Sequence, residues 1–248
     1  VELYQVHYPD PPDPIEATIA QIELDFLMED LPNLLRSMQV GTDRIQEIVA
    51  SLRTFSRMDE ADVKVVDIHP GIESTLTILQ HKLKPQMKGS TRSPWTEITV
   101  TKHYGDLPFV ECYPGQLNQV FMNILANAID ALEWRFSNHT ANEVRVGGAI
   151  EDSPQIHIWT QVVASTAIEI RITDNGSGMD ESTRSRLFDP FFTTKPVGKG
   201  TGMGLSISYQ IVVDRHGGSL QCESELGQGA VFTISIPLRQ VGERDREI

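Results

Sequence analysis

The sequence predicts an α+β fold: a two-layer α/β sandwich, with helices on one face of a mixed sheet, preceded by a long bundle or coiled-coil helix. Three observations predict it. Apolar or alternating segments at 98–103, 109–111, 155–163, 167–173, 219–224 and 230–237 read as strands, several of them paired as hairpins. Helical patterns at 71–84, 115–134 and 205–216 fall between them. Ahead of both, Leu27, Leu31, Leu34, Met38, Ile45, Ile48, Leu52 and Phe55 recur at spacings of four and three, a heptad seam that wants a partner helix.

The elements divide the chain into a helical region over 1–60, a sandwich domain over 61–240 and a tail over 241–248. The first residues form a short apolar-aromatic stretch, ended by the break Pro9-Asp10-Pro11-Pro12-Asp13-Pro14. In the long helix that follows, Pro32 marks a kink or restart, and Gly41 interrupts the seam. An amphipathic helix lying on the domain core is the alternative to a bundle helix. The helix over 71–84 follows His69-Pro70, and Ala164-Ser165-Thr166 joins the central hairpin. Gly217-Gly218 closes the helix over 205–216, as a glycine just past a helix end does. His216, at that end, reads as a cation facing the helix C-terminus. Gly227-Gln228-Gly229 separates the last two strands.

Composition narrows the function classes. The net charge is −13 and no Lys/Arg run exists, which argues against a nucleic-acid or anionic-membrane surface while leaving single basic groups able to hold a phosphate. The two cysteines, Cys112 and Cys222, lack CxxC spacing and fit a reducing, cytoplasmic setting. No apolar run approaches the roughly 18 residues a membrane span needs, so no membrane contact is expected of this chain. It begins with valine and has no signal-peptide pattern, so it reads as a fragment, compatible with a membrane anchor upstream.

Three constellations carry chemistry. On the helix over 115–134, Gln119, Asn123, Asn127 and Asp130 form a polar stripe beside the apolar stripe Phe121, Ile124, Leu125, Ala128 and Leu132. Asparagine is a poor residue inside a helix, because its amide competes for backbone groups. A Mg²⁺ ion beside a nucleotide would explain two at i and i+4, since Mg²⁺ takes oxygen ligands and shares them with phosphates; a buried amide pair is the other explanation. The second constellation, Asp174-Asn175-Gly176-Ser177-Gly178, follows a strand. Its carboxylate can accept from an exocyclic amine such as that of adenine, and its glycines admit a ring close to the backbone. A calcium loop would need Asp or Asn where Gly176 stands; a plain polar turn would not. The third, Lys199-Gly200-Thr201-Gly202-Met203-Gly204-Leu205-Ser206, opens a helix, where backbone amides favour a phosphate. It is neither a Walker A loop nor a dinucleotide fingerprint, and a flexible linker is its competitor. Lys195 and Lys199 can offset phosphate charge. Between the last two constellations, Phe188, Phe191 and Phe192 read as anchors of a mobile lid or as a local apolar cluster.

The order of these pieces resembles the GHKL (Bergerat-type) ATPases and, within them, the catalytic domain of two-component sensor histidine kinases. Gln119–Ala128 resembles the N box, Asp174–Gly178 the G1 box, Phe188–Phe192 the F box, Gly200–Gly204 the G2 box, and Ser224–Phe232 the closing Ser-x-x-Gly-x-Gly motif. The resemblance covers about 61–240. The upstream helix, ending Ser51-Leu52-Arg53-Thr54-Phe55-Ser56-Arg57, resembles the second helix of the family's dimerisation domain. The resemblance implies ATP and Mg²⁺ as cofactors. It makes Asn127 the metal ligand and gives Asn123 a catalytic role in supporting the phosphate–metal site. Asp174 reads adenine with Gly176 and Gly178. Lys195, Lys199 and the loop Gly200, Thr201, Gly202, Met203, Gly204 and Leu205 hold phosphates. Asp130 departs from the pattern, since many members carry Lys or Arg there; an acid turns outward or organises the metal's waters.

A larger departure is the phosphoacceptor. The family's motif runs His, an acidic residue, an apolar residue, then a Pro, and none of the seven histidines has it. His81-Lys82-Leu83-Lys84-Pro85 comes near, with its proline one residue early. The implied activity is ATP:protein-histidine phosphotransfer to a histidine absent from this fragment, for relay to a response-regulator receiver domain. A homodimer forms through the helical bundle, and the fragment does not autophosphorylate. An ATP hydrolase of the gyrase or Hsp90 kind needs a Glu where Asn123 stands. A non-catalytic nucleotide-binding regulatory module is the remaining alternative.

Overall fold

Strand and helix boundaries follow the local patterns closely. The computed structural model describes residues 7, 12–23, 26, 28, 30–39, 41–42, 63–84, 97–138, 153–195 and 200–240. The chain divides into two units, Val1–Val49 and Ala50–Ile248.

In the first unit, helix α1 spans Asp13–Gln21, and residues 30–39 are helical with Pro32 among them. Leu31, Leu34 and Met38 of the expected seam are all exposed. The seam positions Leu27, Ile45, Ile48, Leu52 and Phe55 lie outside the described residues.

The second unit contains β1 (Lys64–Val66), α2 (His69–Leu83), β2 (Thr99–Tyr104), β3 (Val110–Cys112), α3 (Pro114–Asn138), β4 (Gln155–Val163), β5 (Ala167–Asp174), α4 (Glu181–Arg184), α5 (Gly204–Tyr209), β6 (Ser219–Glu225) and β7 (Gly229–Pro237). The main sheet runs β2-β4-β5-β7-β6; β2 and β4 are parallel and the other neighbours antiparallel. β1, which the sequence patterns do not reveal, pairs with β3 in a separate two-stranded ribbon.

Alternation decides which sheet face is buried. Ile156 and Ile158 of β4, Ile168, Ile170 and Ile172 of β5, and Phe232, Ile234 and Ile236 of β7 point into the core. There they meet Ile72 and Leu76 of α2, the buried stripe Leu117, Phe121, Ile124, Leu125, Ala128 and Leu132 of α3, and Ile211 and Val212 beyond α5. The other face carries polar and aromatic groups, with Trp159 clustered with His103 and His157 at 5.1 and 5.2 Å and the two histidine rings 6.3 Å apart. Gly71 allows the close crossing of α2 and α3: a Cβ there would run into the Asn118 side chain.

Beyond α5 the helix widens into a π-turn over Gln210–Arg215. Gly217, at φ 63°, terminates it, with Gly217 N–H donating to Val213 O at 3.1 Å and Gly218 N–H to Val212 O at 2.9 Å. His216 does not act as a helix-end cation. It is buried, its Nδ1 donates to Ile211 O at 2.7 Å, and its Nε2 accepts from Tyr113 N–H at 3.0 Å. Burial holds its pKa below the usual histidine value, so the neutral ring links the helix end to the start of α3. Both cysteines are free, and burial pushes both thiols up to about 12.

Candidate nucleotide site

Helix α3 forms the wall of the candidate site. Asn123, Asn127, Ala131 and Arg135 follow one another at four-residue steps, with Asp130 three residues beyond Asn127, so they share one flank beside the buried stripe. From Asn123 to Arg135 the helix rises about 18 Å, room for an extended nucleoside triphosphate.

At the lower end, Asn123 Nδ2 donates to Gly204 O at 2.9 Å and to Ser208 Oγ at 3.1 Å. This ties α3 to the first turn of α5. A Cβ on Gly204 would stand 3.4 Å from the Asn123 side chain, in ordinary van der Waals contact.

One turn further, Lys195 Nζ donates to Asn127 Oδ1 at 2.9 Å and to Asp130 Oδ2 at 2.6 Å. Lys82 Nζ, from the last turn of α2, lies 3.6 Å from Asp130 Oδ1. Asp130 therefore does not turn away from the site. The oxygens of Asn127 and Asp130 together hold an ammonium, and this donor set also suits a hard cation such as Mg²⁺.

At the upper end, Asp174 closes β5, is 4% exposed, and accepts from Gly176 N–H at 2.8 Å through Oδ1. Burial raises its pKa from 3.8 to about 6, against the opposing pull of the Gly176 and Ala230 amides and the Arg135 charge. A Cβ on Gly176 would come within 2.8 Å of Ala131 Cβ. Gly178, at φ 64°, packs on the carbonyl of Glu225.

Arg135 holds this loop in place. Its Nη1 donates to Asn175 O at 2.7 Å, Gly227 O at 3.0 Å and Gly176 O at 3.3 Å. Ser224 completes the brace: its Oγ donates to Gly229 O at 2.7 Å and accepts from Met179 N–H at 2.9 Å. Gly227 N–H donates to Ser177 O at 2.7 Å. The closing Ser-x-x-Gly-x-Gly segment thus buttresses the Asp174–Gly178 loop. Sequence reasoning missed Arg135 and Lys82. Arg135 had a local signal, since it continues the four-residue step from Asn127 through Ala131; Lys82 had none.

The phenylalanine segment is divided in its roles. Phe188 packs against the core and lies 5.2 Å from the Tyr209 ring. Phe192 takes the Arg186 guanidinium over its face at 4.5 Å. Phe191 is 74% exposed at φ 65°, and Gly202, at φ 66°, sits against its backbone. In the glycine loop, Gly200 faces Thr193 Oγ1 and Lys195, and Thr201 Oγ1 accepts from Met203 N–H at 3.4 Å. Met203 is exposed, whereas the Leu205 side chain packs on the core, leaving only its backbone to the loop. Lys199 lies outside the described residues.

This fold and its α3 wall define an ATPase-type catalytic domain with the helix-and-mixed-sheet architecture of histidine-kinase catalytic domains. Residues 112–240, just over half of the chain, match the histidine kinase-, DNA gyrase B-, and HSP90-like ATPase family, and the chain belongs to that family. It is 38% identical over 141 residues to sporulation kinase E of Bacillus subtilis, covering 57% of this chain and 16% of that protein. It is 32% identical over 209 residues to the two-component sensor PprA of Pseudomonas aeruginosa, covering 84% of this chain and 20% of that protein. The chain thus spans a fifth or less of the length of these two relatives. Among solved structures, the catalytic domain of histidine kinase ThkA matches with a TM-score of 0.53 at 24% identity, over 72% of this chain and 99% of that one. Full-length ShkA, solved in complex with AMPPNP, matches with a TM-score of 0.54 at 20% identity, over 85% of this chain and 39% of that one. Both show a shared fold.

Proposed function

We propose that the chain is the ATP-binding catalytic region of a sensor histidine kinase, which transfers the γ-phosphoryl of ATP to a histidine outside this sequence for relay to a response-regulator receiver domain. The observation that carries this reading is the ladder on α3. Asn123 meets the glycine loop, Asn127 and Asp130 meet Lys195, and Arg135 meets the loop of Asp174. Residues 61–240 form the catalytic domain, 1–60 belong to a helical dimerisation region and 241–248 are a tail. The protein works as a cytoplasmic homodimer, joined through its helical bundle.

In this reading Asp174 accepts the adenine amine, and Gly176 and Gly178 let the ring approach the backbone. Lys195 and the backbone of Gly200–Leu205, with Lys199, face the phosphates. Asn127 Oδ1 would hold Mg²⁺, which when bound neutralises charge on the phosphates. The chain's own contribution is positioning and fixed electrostatics, with the segment 188–200 as a lid that excludes water. Asn123 spends its amide nitrogen on Gly204 and Ser208 and offers no carboxylate to activate water, which disfavours a hydrolase.

Labelled ATP and Mg²⁺ test the reading when added with and without a separate polypeptide that carries a phosphoacceptor helix. Acid-labile label on the added histidine, and none on this chain, is the expected result. Stoichiometric acid-labile label on this chain alone, or no transfer despite ATP binding, overturns it.

A further inference from the structure

Lys82 belongs to none of the nucleotide-site motifs, yet it reaches the centre of the site. It comes from the last turn of α2, and its Nζ lies 3.6 Å from Asp130 Oδ1. Lys195 Nζ, from a segment more than a hundred residues away, lies 2.6 Å from the other oxygen of the same carboxylate. All three side chains are about one-third exposed, at 39%, 35% and 33% for Lys82, Lys195 and Asp130. Two ammoniums thus share one carboxylate beside the neutral amide of Asn127. The cluster carries a surplus positive charge in a chain whose net charge is −13.

Stability alone accounts poorly for this arrangement. A partly exposed ion pair contributes little, and a second ammonium on the same carboxylate adds repulsion between the two cations. A polyanion in the site would turn that surplus charge into an attraction. Asp130, an acid on the wall of a phosphate site, would then serve by holding two cations toward the phosphates.

We propose that Lys82 is a second phosphate-facing cation of the nucleotide site, and that Asp130 is the positioning residue for Lys82 and Lys195. This rests on the nucleotide-site reading above. The two roles open to Asp130 have opposite signs. If its charge merely repels phosphate, Asp130→Asn tightens ATP binding. If it positions the two lysines, the same substitution weakens ATP binding although a negative charge has been removed.

The test is calorimetric titration of the whole chain with ATP and with adenosine, without Mg²⁺, at two salt concentrations. The proteins are the parent, Lys82→Ala, Lys82→Arg and Asp130→Asn. The inference expects Lys82→Ala to weaken ATP binding roughly five- to tenfold, to leave adenosine binding unchanged and to make the ATP affinity less sensitive to salt. Lys82→Arg recovers most of the loss, and Asp130→Asn weakens ATP. Unchanged ATP affinity in Lys82→Ala, or tighter ATP binding in Asp130→Asn, overturns this inference and leaves the site reading standing. A parent chain that binds neither ligand overturns both.

Discussion

Lys195 Nζ donates to Asn127 Oδ1 at 2.9 Å across 68 residues of chain, placing a cation on the oxygen proposed to hold the metal. Asn127→Ala removes that oxygen. We expect the variant to bind ATP equally with and without Mg²⁺, whereas Mg²⁺ strengthens binding to the parent on the order of tenfold or more, since Mg²⁺ demands a full set of oxygen ligands. Calorimetry with and without the metal checks this. An undiminished Mg²⁺ effect in a folded variant assigns the metal elsewhere.

Asp174 makes function and stability oppose each other. Burial raises its pKa from 3.8 to about 6, so the folded state prefers the protonated acid. The stabilisation this gives is complete below pH 3.8 and is lost as pH rises through about 6; two units correspond to on the order of 3 kcal/mol. Asp174→Asn should therefore melt above the parent at pH 7.5. It should also bind ATP about ten- to a hundredfold more weakly, because its amino group faces the adenine amine as a second donor. Thermal melts and ATP titration read both effects.

The same titration gives the parent a pH profile. Adenine recognition needs the ionised carboxylate, so ATP affinity falls as pH drops through about 6, and Asp174→Asn lacks that step. Arg135 lowers the Asp174 pKa and holds the Asn175 and Gly176 carbonyls. Arg135→Met should weaken ATP binding and move the step to higher pH. A weaker affinity with an unmoved step leaves Arg135 as a brace alone.

His216 supports the core only as a neutral ring. Its lowered pKa means that the unfolded chain takes up a proton first. Its contribution is complete above about pH 6.5 and is lost as pH falls below that value toward the lower folded pKa. His216→Phe leaves Tyr113 N–H without its partner, whereas Ile211 O keeps the backbone N–H of residue 216, so the cost is on the order of 1–3 kcal/mol at pH 7.5. Urea unfolding at pH 7.5 and 5.5 should show the parent's advantage over the variant shrinking at the lower pH.

The lid should reveal itself in exchange. Phe188 is anchored in the core while Phe191 is exposed, and Lys195 is held to the α3 wall only through its side-chain tip. Amide exchange over the segment 188–200 should slow when ATP binds. Equal exchange with and without nucleotide removes the lid from the mechanism.

The sequence by itself determined whatever depends on local geometry. The periods of helix and strand are properties of the backbone, so α3, its paired asparagines, the hairpin of β4 and β5, and the loop after Asp174 were legible from spacing. The ribbon of β1 and β3, the convergence of Lys82 and Lys195 on Asp130, and the grip of Arg135 on Gly227 were not. Each joins segments far apart in the chain, and no residue in either segment announces its partner. His216 shows how the two levels conflict. Its place at a helix end favours a cation, but packing against Tyr113 buries the ring, and the cost of desolvating a charge outweighs the attraction of a helix terminus.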